Sequence, residues 1–468
     1  MNLAVVTLGT LALPLFIFFA FWLKTPIAII AVTALAYGLS QAVILVQPLF
    51  APARDLSPAM RRTRGAAMLL VFFWVLLSGA GGFSSQSLDY GMHNGRLKDL
   101  IDYYWPVVYP GNKPLVYYIG YYLPVAWIGK VIGVGLANRL MLFWTAFLVW
   151  LACRWLFIGL GKASIGVWLR FMFFSGMSVI GSLLYGFSDY PVDRMEWWAF
   201  KEIYISFQSM TFQLFWAPHQ VIVGWILMAF LFCLHRKQCY APMPFIWTLS
   251  FFWAPFISLG TAPYLLVSLM RQYKASGLRA IFSRLNLIST LYLGILAAYY
   301  MSGSATKNPH GWIWDRFTVI DLDHGVRLLM FYFLEFGGML LLCWPMVSRL
   351  KEADRDYVAC AVALLFLMPL YYYGKWNDLL ARGIVPSLWM LFWIFESALS
   401  ALTRRDDRMR RWALLTVYGI GVITSYPSYR QTFLVFGQRQ SPISAPDYSL
   451  AYQFLGDRNH FFFRYLAK

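Results

Sequence analysis

Charge is what this sequence has least of. Asp, Glu, Lys and Arg make up 13% of its 468 residues, against about 25% in an ordinary soluble chain. Acids are scarcer still, with 21 Asp and Glu against 39 Lys and Arg. No stretch between the apolar runs is long enough for a separate soluble domain. The five cysteines (Cys153, Cys233, Cys239, Cys343, Cys360) lie in apolar runs or beside basic loops. None pairs at metal-ligand spacing, which excludes a disulfide framework and a zinc site. The first apolar run lacks a basic segment before it and a small-residue cleavage site after it, so it is expected to be retained as a span. Internal repeats, low-complexity tracts and the paired broken helices of transporters are also missing.

What is present is apolar surface: 60% of residues are hydrophobic and 19% aromatic. Apolar runs of about 20 residues recur from end to end, each long enough to cross a bilayer as a helix. The expected fold class is therefore all-α, a polytopic transmembrane helical protein of about 13 spans. These fall at 3–23, 26–50, 66–83, 138–157, 164–185, 213–234, 242–256, 257–270, 285–301, 327–348, 357–373, 380–401 and 411–426. Residues 114–134 are apolar enough to span but rich in Tyr, Trp and Lys. That is interfacial chemistry, and an in-plane juxtamembrane helix is expected there. The run 241–270 is too long for one helix and is expected to break at Trp253-Ala254-Pro255-Phe256.

The net charge of +18 points to topology rather than to nucleic acid. Arg61, Arg62 and Arg64 follow the second run, and Arg154 and Lys162 the fourth. Arg236 and Lys237 follow the sixth, Arg271 and Lys274 the eighth, Arg349 and Lys351 the tenth, Arg408 and Arg410 the twelfth. Every even-numbered loop is basic, so these loops are expected in the cytoplasm, with the N-terminus inside and the C-terminal tail outside. The protein is expected in the cytoplasmic (inner) membrane, with membrane lipids as partners. Three regions follow: 1–65 with two N-terminal helices and a basic loop, 66–426 as the transmembrane core, and 427–468 as an extracytoplasmic tail.

The odd-numbered loops hold the acids, so polar chemistry is expected on the outer face. The first outer loop, 84–137, carries Asp89 and His93 four residues apart, hence on one helical face. A carboxylate at the exit of a span can act as a general base when a substrate hydroxyl comes within hydrogen-bond reach. The same Asp in a solvated loop has no such role. In the second outer loop Asp189 and Asp193 are candidates, and His219 opens the next span from outside in Trp216-Ala217-Pro218-His219-Gln220. A buried His satisfied by a neighbour is the alternative for His219. Late in the chain, Lys375, Asn377 and Asp378 precede Arg382, which lies inside an apolar segment. An ionised group there is costly and commonly functional, and a guanidinium binds phosphate through two parallel N–H groups. Snorkelling to the interface is the alternative.

The first outer loop reads Asp89, a helical stretch, Trp105-Pro106-Val107-Val108-Tyr109, then Lys113-Pro114-Leu115-Val116-Tyr117-Tyr118. This order resembles the first outer loop of type-C (GT-C) polytopic membrane glycosyltransferases, such as the lipid A aminoarabinose transferases and protein O-mannosyltransferases. The resemblance covers roughly 66–185, and Arg382 with Pro386 extends it weakly over 370–400. The first two runs stand as an addition before that core. The resemblance implies a transferase taking a sugar from a polyprenyl-phosphate carrier to a glycan, lipid or protein acceptor, with inversion at the anomeric carbon. It implies Asp89 as the catalytic carboxylate, joined by His93, Asp189 and His219. Lys113, Arg382, Asn377, Asp378 and Tyr117 would form the lipid-phosphate donor site. Many members carry a second acid beside the first, whereas Tyr90 follows Asp89 here. A divalent cation is compatible with the resemblance, and these residues fix none.

Two other classes share this composition. A transporter or flippase predicts ionisable residues in mid-span, whereas here they cluster at outer span ends. A polysaccharide polymerase or ligase shares the location and a lipid-linked substrate. It predicts a large outer loop with paired Arg and a His, and 302–324 is short for that.

Overall fold

The computed structural model describes all residues except 1, 51–57, 187–193, 197, 201, 305–307, 318–320, 404–406 and 436. The described chain is all-α with four short strands. Its first part runs α1 (Leu3–Trp22), α2 (Thr25–Val46), α3 (Pro58–Leu77), α4 (Tyr90–Asp102), β1 (Val108–Tyr109), β2 (Lys113–Pro114), α5 (Leu123–Leu160), α6 (Ile165–Met172) and α7 (Ser178–Tyr185). The middle runs α8 (Met210–Trp216), α9 (Pro218–Arg236), α10 (Met243–Ser250), α11 (Pro255–Ser276), α12 (Arg284–Met301), β3 (His310–Trp312), α13 (Leu322–Tyr332) and α14 (Gly338–Val347). The last part runs α15 (Glu352–Leu367), β4 (Tyr371–Tyr373), α16 (Asp378–Gly383), α17 (Val385–Ala401), α18 (Arg408–Thr424) and α19 (Tyr426–Leu434).

Among the described residues, five helical segments are long and apolar enough to cross a membrane: Leu3–Trp22, Thr25–Phe50, Leu123–Leu160, Pro218–Arg236 and Leu322–Val347. Several expected spans are broken helices, and the breaks have local causes. The expected span 213–234 is α8 and α9, parted at Ala217 (φ −137°, ψ 51°) because Pro218 takes the first helical position and forces the preceding residue out of the α region. Ala254 is extended before Pro255 for the same reason. The expected break in 241–270 is present there, but α10 has only eight residues, roughly 12 Å of helix, so 242–256 is no straight span. The expected span 164–185 is interrupted between α6 and α7, where a Cβ on Gly176 would lie 2.2 Å from the Glu335 carboxylate.

The stretch 114–134 is helical only in its second part. Residues 115–122 are not helical, and the helix beginning at Leu123 breaks at Gly133 (φ 80°, ψ 164°), a conformation open to glycine alone. The non-helical part packs inward: Tyr121 shares a 2.6 Å hydrogen bond with Thr145, and Trp144 Nε1 donates to the Tyr121 carbonyl at 2.9 Å. The aromatic residues of 115–122 thus face the interior, while the short helix between Leu123 and Gly133 leaves Trp127, Ile128 and Val131 exposed.

The core is built around α5 and α9. From Pro218 to His235 every residue of α9 is buried, as expected of a helix that is apolar on all faces. The two N-terminal helices pack into this core. Trp155 Nε1 donates to Thr7 Oγ1 at 2.8 Å, and Trp253 Nε1 to the Leu11 carbonyl at 3.0 Å. The C-terminal tail returns to the first loop and to the end of α1 through bridges Leu115–Leu455, Gly303–Gly456 and Leu23–Ala467.

A candidate active-site cavity

Five parts of the chain meet at one end of α9 to enclose a cavity of about 110 Å³. Helix α4 contributes Asp89, at its N-terminal end, with Met92, His93 and Arg96. These occupy positions i, i+3, i+4 and i+7, one helical stripe. The segment after β2 contributes Tyr117, Tyr118 and Tyr122. Gln208 stands before α8, Phe212 and Trp216 lie on it, and α9 supplies His219 and Gln220. Trp376, Asp378 and Arg382 come from around α16, and Tyr448, Gln453 and Phe454 from the tail.

Close helix packing brings Arg382 to this place. A Cβ on Gly260 of α11 would lie 1.9 Å from the Gly383 carbonyl, so α16 can approach α11 only with glycine there. Arg382 is buried, and its Nη1 donates to Gln208 Oε1 at 3.0 Å. Its Nε has no partner. Arg96 is 1% exposed, and none of its three guanidinium nitrogens has a hydrogen-bond partner. Its charge is answered by Asp99 at 3.5 Å and by the Phe454 ring at 4.0 Å. Asp99 is held in turn by Tyr109 Oη at 2.7 Å and Ser444 Oγ at 2.8 Å. Two buried cations with unused donors therefore line one cavity. Unsatisfied buried N–H groups are costly, and an anion with several acceptor oxygens relieves both.

Asp89 opens to solvent only in part, and its carboxylate makes no side-chain hydrogen bond among the described residues. Burial raises its pKa to about 6, against the lowering effect of Arg382 and with a further push from Asp378. Burial likewise raises Asp378, again opposed by Arg382. Asp378 is thus the second acid in the cavity, supplied from the far end of the chain where Tyr90 occupies the position beside Asp89.

His93 is engaged on both sides: Nδ1 lies 2.6 Å from Tyr122 Oη and Nε2 lies 2.9 Å from the Trp216 carbonyl. The carbonyl requires the proton on Nε2, so Nδ1 accepts from the tyrosine. Burial lowers the His93 pKa to about 4, opposed by the Trp216 carbonyl and reinforced by Arg382 and Arg96. A neutral, fully bonded imidazole orients its neighbours and has no free site for a substrate proton. The His219 ring lies 4.6 Å from that of His93. Its Nε2 meets Tyr117 Oη and Gln220 Nε2, both at 3.2 Å, while Nδ1 is buried without a partner.

Of the residues singled out in the sequence, Asp89, His93, His219, Tyr117, Asp378 and Arg382 share the cavity. Asp189, with Asp193, lies outside the described residues. Two others are corrected. Lys113 does not line the cavity: it is exposed in β2, paired with Tyr109 across the β1–β2 hairpin. Asn377 is buried but structural, in the left-handed region at φ 53°, with Nδ2 donating to the Tyr204 carbonyl at 3.1 Å. The second cation lining the cavity with Arg382 is Arg96. The stripe from Asp89 contains that signal, whereas Gln208 and the tail residues carry none in the sequence. Among the described residues no group of three His, Cys, Asp or Glu side chains could hold a metal ion.

A second, apolar cavity of about 400 Å³ adjoins the first and shares Tyr117, Tyr118 and Gln453 with it. Phe251, Phe256, Leu296, Ala297 and Tyr300 from around α11 and α12 line it. The chain matches no protein-family model and no curated protein, and its fold matches no solved structure.

Proposed function

We propose that this chain is a polytopic membrane glycosyltransferase of type-C kind, transferring a sugar from a polyprenyl-phosphate carrier to an acceptor hydroxyl on the extracytoplasmic face. The chain would cross the cytoplasmic membrane in about thirteen passages, several of them broken helices, with the basic loops inside. The observation that carries the reading is the meeting in one cavity of a carboxylate without a side-chain hydrogen bond, Asp89, with Arg96, whose guanidinium makes no hydrogen bond, and Arg382, whose Nε has none. The adjoining apolar groove supports a substrate that joins a charged group to a hydrocarbon chain. Nucleotide sugars are cytoplasmic, so an outer-face transferase requires a donor delivered within the membrane.

In the proposed reaction the carrier phosphate lies against Arg96 and Arg382, and its prenyl chain lies in the groove. The acceptor oxygen attacks the anomeric carbon and forms the new glycosidic bond as the bond from that carbon to the phosphate oxygen breaks. Asp89 takes the proton of the acceptor hydroxyl. The phosphate leaves with the bonding pair, and the guanidinium groups stabilise its growing charge. Attack opposite the leaving group inverts the anomeric configuration. His93 holds Tyr122 in place, and Asp378 tunes Asp89. The test is transfer of labelled sugar from polyprenyl phosphate in vesicles: Asp89→Asn abolishes it, and full activity in that variant rejects the assignment.

A further inference from the structure

A larger cavity lies elsewhere. About 940 Å³ opens between α1, α3 and α5, at the upper end of the range for ligand pockets. Its walls are apolar: Val6 from α1, Met68 and Phe72 from α3, Phe143 and Phe147 from α5. Three cations converge at one end: Arg64 one turn before Met68, Arg154 one turn after Trp150, and Lys237 just past α9. Lys237 and His219 lie at opposite ends of α9, roughly 27 Å of helix apart. This is therefore a second site, remote from the candidate active site.

None of the three cations forms a salt bridge among the described residues. Aromatic rings hold two of them in place, Arg154 at 5.3 Å from the Trp150 ring and Lys237 at 5.6 Å from that of Phe50. Such contacts orient a cation without neutralising it. Three like charges at the mouth of an apolar chamber repel one another and call for an anion. The chamber calls for hydrocarbon. Met68 and Phe143 are 60% and 58% exposed at its rim, so acyl chains have an open side for entry from the bilayer.

We propose that this cavity binds an anionic phospholipid, its phosphate held by Arg64, Arg154 and Lys237 and its acyl chains lying between α1, α3 and α5. A third of the lining, Leu3, Val6, Leu49, Phe50 and Arg64, comes from residues 1–65, which gives that region a role of its own. The site stands independently of the sugar-transfer reading.

Native mass spectrometry of the full chain, released from detergent with added phosphatidylglycerol or phosphatidylcholine, tests it. One phosphatidylglycerol is expected to be retained at least about tenfold more tightly than phosphatidylcholine. Each single replacement (Arg64→Gln, Arg154→Gln, Lys237→Gln) weakens that preference by about fivefold, and the three together abolish it. Ala146→Trp, which fills the apolar wall and leaves the charges, removes both lipids. The ratio of the two lipids is read on folded protein only, so a poorly folding triple variant leaves the single variants to decide. Equal retention of both lipids, or an unchanged preference in every variant, overturns the proposal. Complete displacement by inorganic phosphate overturns the lipid and leaves an ion site.

Discussion

The Arg96 guanidinium sits 4.0 Å over the ring of Phe454, a contact between the first outer loop and the C-terminal tail. It fixes a cation in the cavity wall while leaving all its N–H groups unused. The ion pair with Asp99, at 3.5 Å, is too long to use those donors as hydrogen bonds, so they are left for an anion.

The two guanidinium groups are expected to act on the same phosphate. Arg96→Ala and Arg382→Ala each lower kcat/KM for transfer by about 10²–10³, the usual cost of removing one preorganised donor. Their combined loss is less than the product of the two, because both touch one group. Steady-state kinetics with a polyprenyl-phosphate sugar measures this. Fully independent losses contradict a shared phosphate.

Asp89 is expected to matter for rate and not for stability. It is a half-buried carboxylate without a side-chain hydrogen bond among the described residues, so Asp89→Asn removes a partly desolvated charge and breaks no bond. Its Tm does not fall, while kcat drops by about 10²–10⁴ as for a lost general base. Thermal unfolding in detergent and transfer rates on the same preparation check both halves. A lower Tm with partial activity assigns the residue to structure.

The pH profile follows from the same group. Burial holds Asp89 near pKa 6, and the base works only when ionised. The value of kcat/KM therefore rises tenfold per pH unit below about 6 and levels off above it. Asp378 pushes that pKa up and Arg382 pulls it down. Asp378→Asn accordingly moves the limb to lower pH and Arg382→Gln moves it to higher pH. Shifts of the opposite sign remove Asp89 as the titrating group.

Blocking the groove should discriminate by chain length. Ala297 lines the apolar cavity and not the polar one. Ala297→Trp raises KM for a long-chain prenyl donor by about tenfold or more, as expected when several buried methylenes lose their site. A water-soluble short-chain donor is little affected. Equal effects on both donors exclude the groove as the chain's binding place.

The all-α class and the apolar helices could be read from run length and composition, because a bilayer-length helix needs nothing beyond its own apolar residues. The stripe from Asp89 through His93 was legible as helical periodicity, and its next position, Arg96, belongs to the same pattern. Lys113 misled because a two-residue strand alternates its sides: Pro114 turns in and Lys113 turns out. The break at Ala254 was legible from Pro255 within an over-long run, whereas the break at Ala217 follows from Pro218 yet is concealed by the apolar run around it. The tail could not be placed, since Phe454 reaches the cavity through long-range bridges to Leu115 and Gly303 rather than through any local pattern.

The most direct test is a structure with polyprenyl phosphate bound, because that product is common to every sugar the donor could carry. The account predicts the phosphate between Arg96 and Arg382, within reach of Asp89, and the first prenyl units against Tyr117, Tyr118 and Tyr300. Phosphate density at the Arg64, Arg154 and Lys237 end, with the Asp89 cavity empty, would contradict it.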